Sequence, residues 1–216
     1  EEIVVCTVFA ASPAGCKIPL FARFLQTTWH LKGDPVAARR LEDVQACQFL
    51  GCDWRHLEFQ DCIYRYLPGR NEPLIHKFSD LSSPIHEEEY LLVDQVADRL
   101  RRLFPGDCRF FAPLGVGGHP DHRITRAAAE KLDGERYLYV DFPYGPREMA
   151  KYRDLLPAGA EETRYSLSAK GIKAWQNSIA LYPSQLRSFW KSTVEMEKQV
   201  KEFAAGFGKV SITGCR

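Results

Sequence analysis

The stretch Arg109–Leu132, RFFAPLGVGGHPDHRITRAAAEKL, contains a strand pattern, a glycine-rich turn and a helix pattern in succession. The apolar run RFFAPL predicts a buried strand, and HRITRAAAEKL has the spacing of apolar residues that is typical of a helix. Between them lies GVGGHPDHR, in which two histidines flank a proline and an aspartate. A strand, a tight turn and a helix in this order indicate an α/β fold.

Strands and helices alternate on both sides of this unit. IVVCTVFA, HLEF and RYLYVDFPY predict further strands, while AARRLEDVQACQFLG, which ends on Gly51, and EEEYLLVDQVADRLRRLF predict helices. This alternation over the first two thirds of the chain favours a mostly parallel sheet with helices on both faces. Towards the end, SAKGIKAWQNSIAL and TVEMEKQVKEFAAGF predict two helices separated by Tyr182-Pro183, and KVSITG predicts a last strand.

The composition is that of a globular protein without a global charge. The chain has 216 residues, of which 45% are hydrophobic and 26% charged, so one domain with a sizeable core is expected. A net charge of +1 gives no electrostatic reason to expect nucleic acid or an anionic membrane as a partner. No apolar run approaches the roughly 20 residues of a membrane span.

The seven cysteines are an odd number and form no CxxC pair. Such scattered cysteines favour reduced thiols, and hence a cytoplasmic protein, over a disulfide framework.

The residues of GVGGHPDHR suggest a site as well as a turn. In an open α/β sheet, ligands bind beyond the carboxyl ends of the strands, and this segment follows such an end. A neutral imidazole can ligate zinc, and a nearby carboxylate can orient a second imidazole. His119, Asp121 and His122 therefore predict a site. The alternative is a polar turn in which Asp121 caps the following helix and both histidines are solvated.

Six segments, in order along the chain, resemble the LmbE-like (PIG-L) family of zinc-dependent N-acetylglucosamine deacetylases. The second signature motif of that family is similar to GGHPDHR, and the other segments are TVFA, ARRLEDVQACQFLG, LEFQDCIYR, YLYVDFPY and KAWQNSIALYPSQ. The resemblance implies a Rossmann-like, three-layer α/β/α domain over residues 1–216. It also implies a zinc-dependent hydrolase that removes acetyl from an N-acetylglucosamine-type sugar conjugate.

The resemblance assigns roles to the three polar residues of the turn. It implies that His122 is a ligand of Zn²⁺, the one cofactor expected. His119 would stabilise the oxyanion or protonate the leaving amine, and Asp121 would orient His119.

Two further residues acquire a role in substrate binding from the resemblance. Arg39 matches an arginine that contacts the sugar, although the neighbouring Arg40 leaves the register open. Asp61, in QDCIYR, falls where the family often has an acid near the sugar hydroxyls. Without the resemblance, a solvated helix face and a turn cap would explain these residues.

One departure from the family pattern concerns its first motif. A His-Pro-Asp-Asp type run, which in the family supplies two more zinc ligands and the general base, does not occur in this sequence. In the family this run precedes the strand that IVVCTVFA resembles. We therefore expect the chain to be N-terminally incomplete and to begin after the first strand and helix of the fold.

Two alternatives to the hydrolase remain at this point. The first is a non-catalytic protein of the same fold that binds a sugar conjugate. The second, a nucleotide-binding domain, is disfavoured because no GxGxxG or GxxxxGK[ST] run opens a helix. The expected partner is a small N-acetylated sugar conjugate, without nucleic acid or a membrane span, and a homo-oligomer is left open.

The remaining polar and aromatic landmarks favour structural roles. The other four histidines are expected at the surface or in packing, although Cys52 and His56 have a spacing that zinc could use. Three residues of VDFPY are expected in packing at a strand end: Asp141, Phe142 and Tyr144. Three later residues are expected to hold the C-terminal helices on the domain: Lys173, Tyr182 and Gln185.

Overall fold

The computed structural model describes residues 2–13, 15–29, 33–144, 152–164, 166–206 and 210–213. The chain divides into two compact units. The first unit consists of residues 1–66, 70–76 and 167–204, and the second of residues 67–69, 77–166 and 205–216.

The first unit contains a two-stranded parallel sheet. Strand β1, Val4–Thr7, pairs with β2, Asp53–His56, so that Val4 lies opposite Asp53 and Thr7 opposite His56. Helices α1, Leu20–Thr28, and α2, Pro35–Leu50, lie between the two strands in the chain.

Helix α2 ends at Gly51, as the sequence predicts, and Asp34 and Pro35 mark its start. The Asp34 side chain accepts a hydrogen bond from the Val36 N–H at 2.9 Å, and Pro35 is the first helical residue, where its missing N–H costs nothing. Gly51 ends the helix in the left-handed region, with φ of 72°, which a residue without a Cβ adopts at little cost. Two carbonyls of the last turn are satisfied by its N–H.

Three helices complete the first unit. Helix α5, Ala169–Ala180, packs against α2, and α6, Pro183–Phe189, follows it after one turn. Helix α7, Thr193–Gly206, is the last. The Gln176 side chain of α5 donates to the Glu197 carbonyl of α7 at 2.8 Å, which joins these two helices through a buried amide.

The second unit contains a four-stranded sheet in the order β3-β4-β6-β5. Strand β3, Arg109–Pro113, pairs in parallel with β4, Glu135–Tyr139. The last strand, β6, Val210–Thr213, is antiparallel both to β4 and to β5, Glu161–Arg164.

Helices α3, Tyr90–Leu103, and α4, Pro120–Ala129, pack against each other, and α4 contacts β3. Each helix buries a stripe of apolar residues at helical spacing: Val93, Val96, Ala97 and Leu100 on α3, and Ile124 and Ala128 on α4. Burial of each of the larger side chains contributes about 1.5–3 kcal/mol to folding.

The predicted α/β class is confirmed, as is the series of parallel strands linked by helices. The strand predicted at HLEF is wrong in position: β2 ends at His56, because its register with β1 starts at Asp53. Leu57, the next residue, is buried, and its N–H donates to the Thr7 carbonyl at 2.9 Å. Helices α1 and α6 and strand β5 were not predicted.

The prediction that one domain spans the chain stays a prediction. No helix within the described part of the chain has the length and apolar character that crossing a membrane requires.

Candidate active site

The turn between β3 and α4 is built around glycines with positive φ. Gly117 has φ of 86°, and a Cβ at this position would lie 2.2 Å from the Tyr144 ring. At Gly118, with φ of 78°, a Cβ would lie 3.2 Å from the Ser82 carbonyl oxygen. Both positions therefore need glycine for the backbone conformation and for the space that the neighbouring groups occupy.

The first turn of α4 carries the polar residues of the motif. His119 is the N-cap residue and Pro120 the first helical residue. Asp121, which is buried, is thus the second helical residue and not the N-cap, so the alternative in which it caps the helix is wrong. Its carboxylate still lies at the positive end of the helix dipole.

His122 is held by a buried carboxylate that comes from beyond the end of β4. Asp141 is 1% exposed, and its Oδ1 lies 2.6 Å from His122 Nδ1. Its Oδ2 accepts hydrogen bonds from the Gly115 and Val116 N–H groups at 2.8 and 2.9 Å. Because a carboxylate oxygen accepts, the Nδ1 proton points at Asp141, and in a neutral imidazole this leaves the Nε2 lone pair for a ligand.

This arrangement fits a metal ion at His122. Histidines that ligate metals commonly donate their other ring N–H to a carboxylate, which fixes the tautomer and the direction of the ring. The His122 side chain is 37% exposed, so Nε2 can be reached, whereas the carboxylate behind it is inaccessible to solvent.

The other two polar residues of the turn lie close to this imidazole or to each other. The ring centroids of His119 and His122 are 5.2 Å apart. A carboxylate oxygen of Asp121 lies within 4.8 Å of an imidazole nitrogen of His119. Tyr144 completes the group, with its ring edge-on to His122 at 6.1 Å. The structure thus brings together the three residues predicted from GGHPDHR, and their individual roles stay predictions.

Asp141 and Tyr144 were expected to serve packing at a strand end, and sequence reasoning missed the contacts of both with His122. A signal for Asp141 was present: it is a carboxylate two residues after a strand that runs parallel to β3. The carboxyl ends of adjacent parallel strands lie at the same edge of the sheet, where the histidine motif also lies.

Within the first unit, both predicted substrate residues line a cavity of about 210 Å³. Arg39 Nη1 lies 4.0 Å from Asp61 Oδ2, and both side chains are about one quarter exposed. Burial lowers the pKa of Arg39, and the negative charge of Asp61 opposes that effect. Arg40 also lines the cavity, but its Nη1 donates to Glu58 at 2.9 Å. Arg39 and Arg40, between which the sequence comparison left the choice open, therefore both line the same cavity.

A network around Asp43 forms another wall of this cavity. The carboxylate accepts hydrogen bonds from Thr7 Oγ1 at 2.9 Å, His56 Nε2 at 2.7 Å and Tyr182 Oη at 2.6 Å. The Arg40 Nε–H donates to His56 Nδ1 at 3.2 Å. Both imidazole nitrogens are engaged, so the idea that His56 shares a zinc ion with Cys52 is wrong.

Similarity to known proteins was found only at the level of solved structures, since no protein-family model and no curated protein matches the chain. A deacetylase of the teicoplanin biosynthesis pathway, solved as a deacetylase-bog complex, is 26% identical with a TM-score of 0.75. The match covers 98% of this chain and 85% of that one.

Two further structures give matches of similar quality. The zinc inhibited form of teicoplanin deacetylase Orf2 is 25% identical, with a TM-score of 0.73 and coverage of 98% of this chain and 86% of that one. A deacetylase-teicoplanin complex from the same pathway is 25% identical, with a TM-score of 0.74 and the same two coverages.

The chain has the fold of an LmbE-like deacetylase. The resemblance to LmbE-like proteins that the six sequence segments indicate is therefore confirmed. In this fold the histidine turn follows the carboxyl end of a parallel strand, as expected for a ligand site.

Proposed function

We propose that this chain is a metal-dependent N-deacetylase that acts on an N-acetylglucosamine-type group of a sugar conjugate, as one LmbE-like domain over residues 1–216. The pairing of His122 with the buried carboxylate of Asp141 carries the proposal, because a bound metal requires such an oriented imidazole whereas a solvated turn does not. The neighbours in the teicoplanin pathway, which are deacetylases, support this reaction class.

The residues of the turn would have different chemical roles. When bound, a divalent metal supplies Lewis acidity towards the amide carbonyl and lowers the pKa of a water molecule. His122 Nε2 would be one of its ligands, with Asp141 fixing the tautomer. His119 would donate a hydrogen bond to the developing oxyanion or a proton to the leaving amine, and Asp121 would orient His119.

The cavity of the first unit would bind the sugar. A separation of 4.0 Å between Arg39 Nη1 and Asp61 Oδ2 is too long for a hydrogen bond between them. A sugar hydroxyl can accept from the first atom and donate to the second, which suits a polyol. The four charged side chains of this cavity, Arg39, Arg40, Asp43 and Asp61, sum to zero, so a neutral sugar is favoured over an anion.

The metal and the compartment are further parts of the proposal. We propose Zn²⁺ because the site offers imidazole and carboxylate groups and because one neighbour was solved in a zinc inhibited form. That inhibition makes the identity of the metal the first variable to test. None of the six cysteines in the described part of the chain forms a disulfide, which supports a reducing cytoplasm.

The test is acetate release by the protein expressed from its complete gene. Metal-stripped protein should be inactive towards N-acetylglucosamine and an N-acetylglucosaminyl glycopeptide, and Zn²⁺ or Co²⁺ should restore turnover.

His122→Ala should lose metal and turnover together, whereas His119→Ala should keep its metal while kcat falls by roughly 100-fold. Saturable sugar binding without acetate release would identify the non-catalytic binding protein instead. Full metal content in His122→Ala would overturn the ligand assignment.

A further inference from the structure

The segment Tyr182–Gln185, YPSQ, contacts three side chains of α2 in succession. Tyr182 Oη donates to Asp43 at 2.6 Å, and the Ser184 N–H and hydroxyl donate to the buried Glu42 carboxylate at 2.9 and 2.5 Å. These contacts hold the first turn of α6 on α2. They also bring the next side chain, Gln185, to the cavity that Arg39 lines.

Gln185 is bound to the guanidinium group of Arg39. With its amide oxygen facing that group, the oxygen lies 2.7 Å from Arg39 Nε and 2.9 Å from Nη2, and both nitrogens donate to it. In the opposite orientation the amide NH₂ would face two N–H donors, so the hydrogen-bonding pattern itself decides the orientation.

A tryptophan covers the flat face of the same guanidinium. Arg39 Cζ lies 3.7 Å from the centroid of the Trp29 ring, at the end of α1. Stacking fixes the plane of the group, and the amide oxygen fixes its rotation within that plane. The edge that remains is Nη1, which faces Asp61.

We propose that Gln185 is a positioning residue for substrate binding: it holds Arg39, together with Trp29, so that Nη1 and the Asp61 carboxylate receive one sugar hydroxyl between them. This inference rests on the proposed function. An arginine side chain has many rotamers, and ordering it before the substrate arrives removes that entropic cost from the binding step.

The contacts of Gln185 and Trp29 with the Arg39 guanidinium are called the clamp below. The first measurement concerns the clamp alone and needs no enzymatic activity. In ¹⁵N-arginine-labelled protein expressed from the complete gene, the Arg39 Nε–H resonance, assigned by its loss in Arg39→Lys, should be protected from solvent exchange. Gln185→Met, which keeps the side-chain length but has no acceptor, should lose that protection, and Gln185→Glu should retain it. An unprotected resonance, or one unchanged in Gln185→Met, would refute the clamp.

The second measurement concerns its role in binding. Gln185→Met should raise KM about tenfold with kcat within about twofold, because the lost interaction acts equally on bound substrate and transition state. Gln185→Glu should rescue most of the KM, and Lys173→Met, which removes an exposed ion pair with Glu197 in the same unit, should leave KM unchanged.

The outcomes separate this inference from the proposed function. An intact clamp in a protein that releases no acetate would overturn the deacetylase, and with it the substrate role of Gln185, but not the contact with Arg39. An active enzyme whose KM is the same in Gln185→Met as in the unmodified protein would overturn the positioning role alone.

Discussion

Asp141 is the residue on which the geometry of His122 depends. Its two oxygens, which solvent does not reach, bind one imidazole and two backbone N–H groups. Asp141→Asn keeps the shape but replaces one acceptor with an NH₂ donor, which then faces a backbone N–H or requires His122 to carry its proton on Nε2. We expect a loss of about 1–3 kcal/mol in stability and of about 10–100-fold in metal affinity. Thermal unfolding and competition with a chelator measure the two effects, and unchanged metal affinity would contradict the role.

At the same scale, Gly117 keeps room for the Tyr144 ring. Gly117→Ala adds a Cβ 2.2 Å from that ring as well as the strain of a positive φ, whereas Gly159→Ala adds only the strain, since its Cβ would meet nothing within 4 Å. The control should cost about 1 kcal/mol and Gly117→Ala more than twice as much. Equal losses of unfolding free energy would show that the ring does not occupy this space.

Single residues differ in how far the sequence reveals them. His119, Asp121 and His122 stand within four positions of one another, so local chemistry alone identifies them as a group. Asp141 lies 19 positions after His122, and only the parallel pairing of β3 with β4 brings the two together. Long-range contacts of this kind depend on the register between strands. The residue types in one short stretch of sequence give no information about that register.

At the scale of elements, strong periodicity and end signals allowed α2, α3 and α5 to be predicted. Helix α6 was missed because Pro183 was interpreted as a break between helices, although proline is also favoured as the first residue of a helix. Its docking depends on Glu42, a buried carboxylate in the middle of α2 that accepts hydrogen bonds from Ser184 in the first turn of α6. Helix propensity is a local property, so it takes no account of a carboxylate from another helix that binds the first turn of α6.

The contact between α2 and α6 can be measured by a double-mutant cycle. Glu42→Gln and Ser184→Ala should each destabilise the protein by about 1–3 kcal/mol, because each leaves a buried polar group with one partner fewer. The double variant should lose less than the sum, with a coupling free energy of about 1 kcal/mol or more. Strict additivity in urea unfolding would mean that the two side chains do not interact in solution.

For the whole molecule, each of the two compact units contains polar groups that are shielded from solvent. In the first unit, burial raises the pKa of the Tyr182 hydroxyl, and its hydrogen bond to Asp43 adds to the effect. Burial raises the pKa of Cys47 to about 12, with the nearby charge of Asp43 contributing. In the second unit the central polar group is Asp141, which binds N–H donors. The residue types identify Tyr182 and Cys47 as titratable, but not the neighbours that raise their pKa values.

These shifts predict how the stability of the first unit depends on pH. Once the pH exceeds the ordinary tyrosine value of 10.0, the unfolded chain releases a proton that the folded chain retains on Tyr182. The free energy of unfolding should therefore fall by about 1.4 kcal/mol per pH unit for this group. Tyr182→Phe should be about 2 kcal/mol less stable at pH 7, since it loses a hydrogen bond to a carboxylate, and this difference should narrow above pH 10.

All four tryptophans lie in the first unit, so urea unfolding followed by tryptophan fluorescence at pH 7, 9, 10 and 11 reports on the unit that contains Tyr182. Tyr90→Phe, at an exposed tyrosine of the second unit, is the control and should give a curve parallel to that of the unmodified protein. The narrowing arises only if the folded state holds the phenolic proton against Asp43, since a second negative charge there would face that carboxylate, whose side chain is only 13% exposed. A constant difference between Tyr182→Phe and the unmodified protein up to pH 11 would mean that Tyr182 titrates normally and that its contact with Asp43 does not persist in solution.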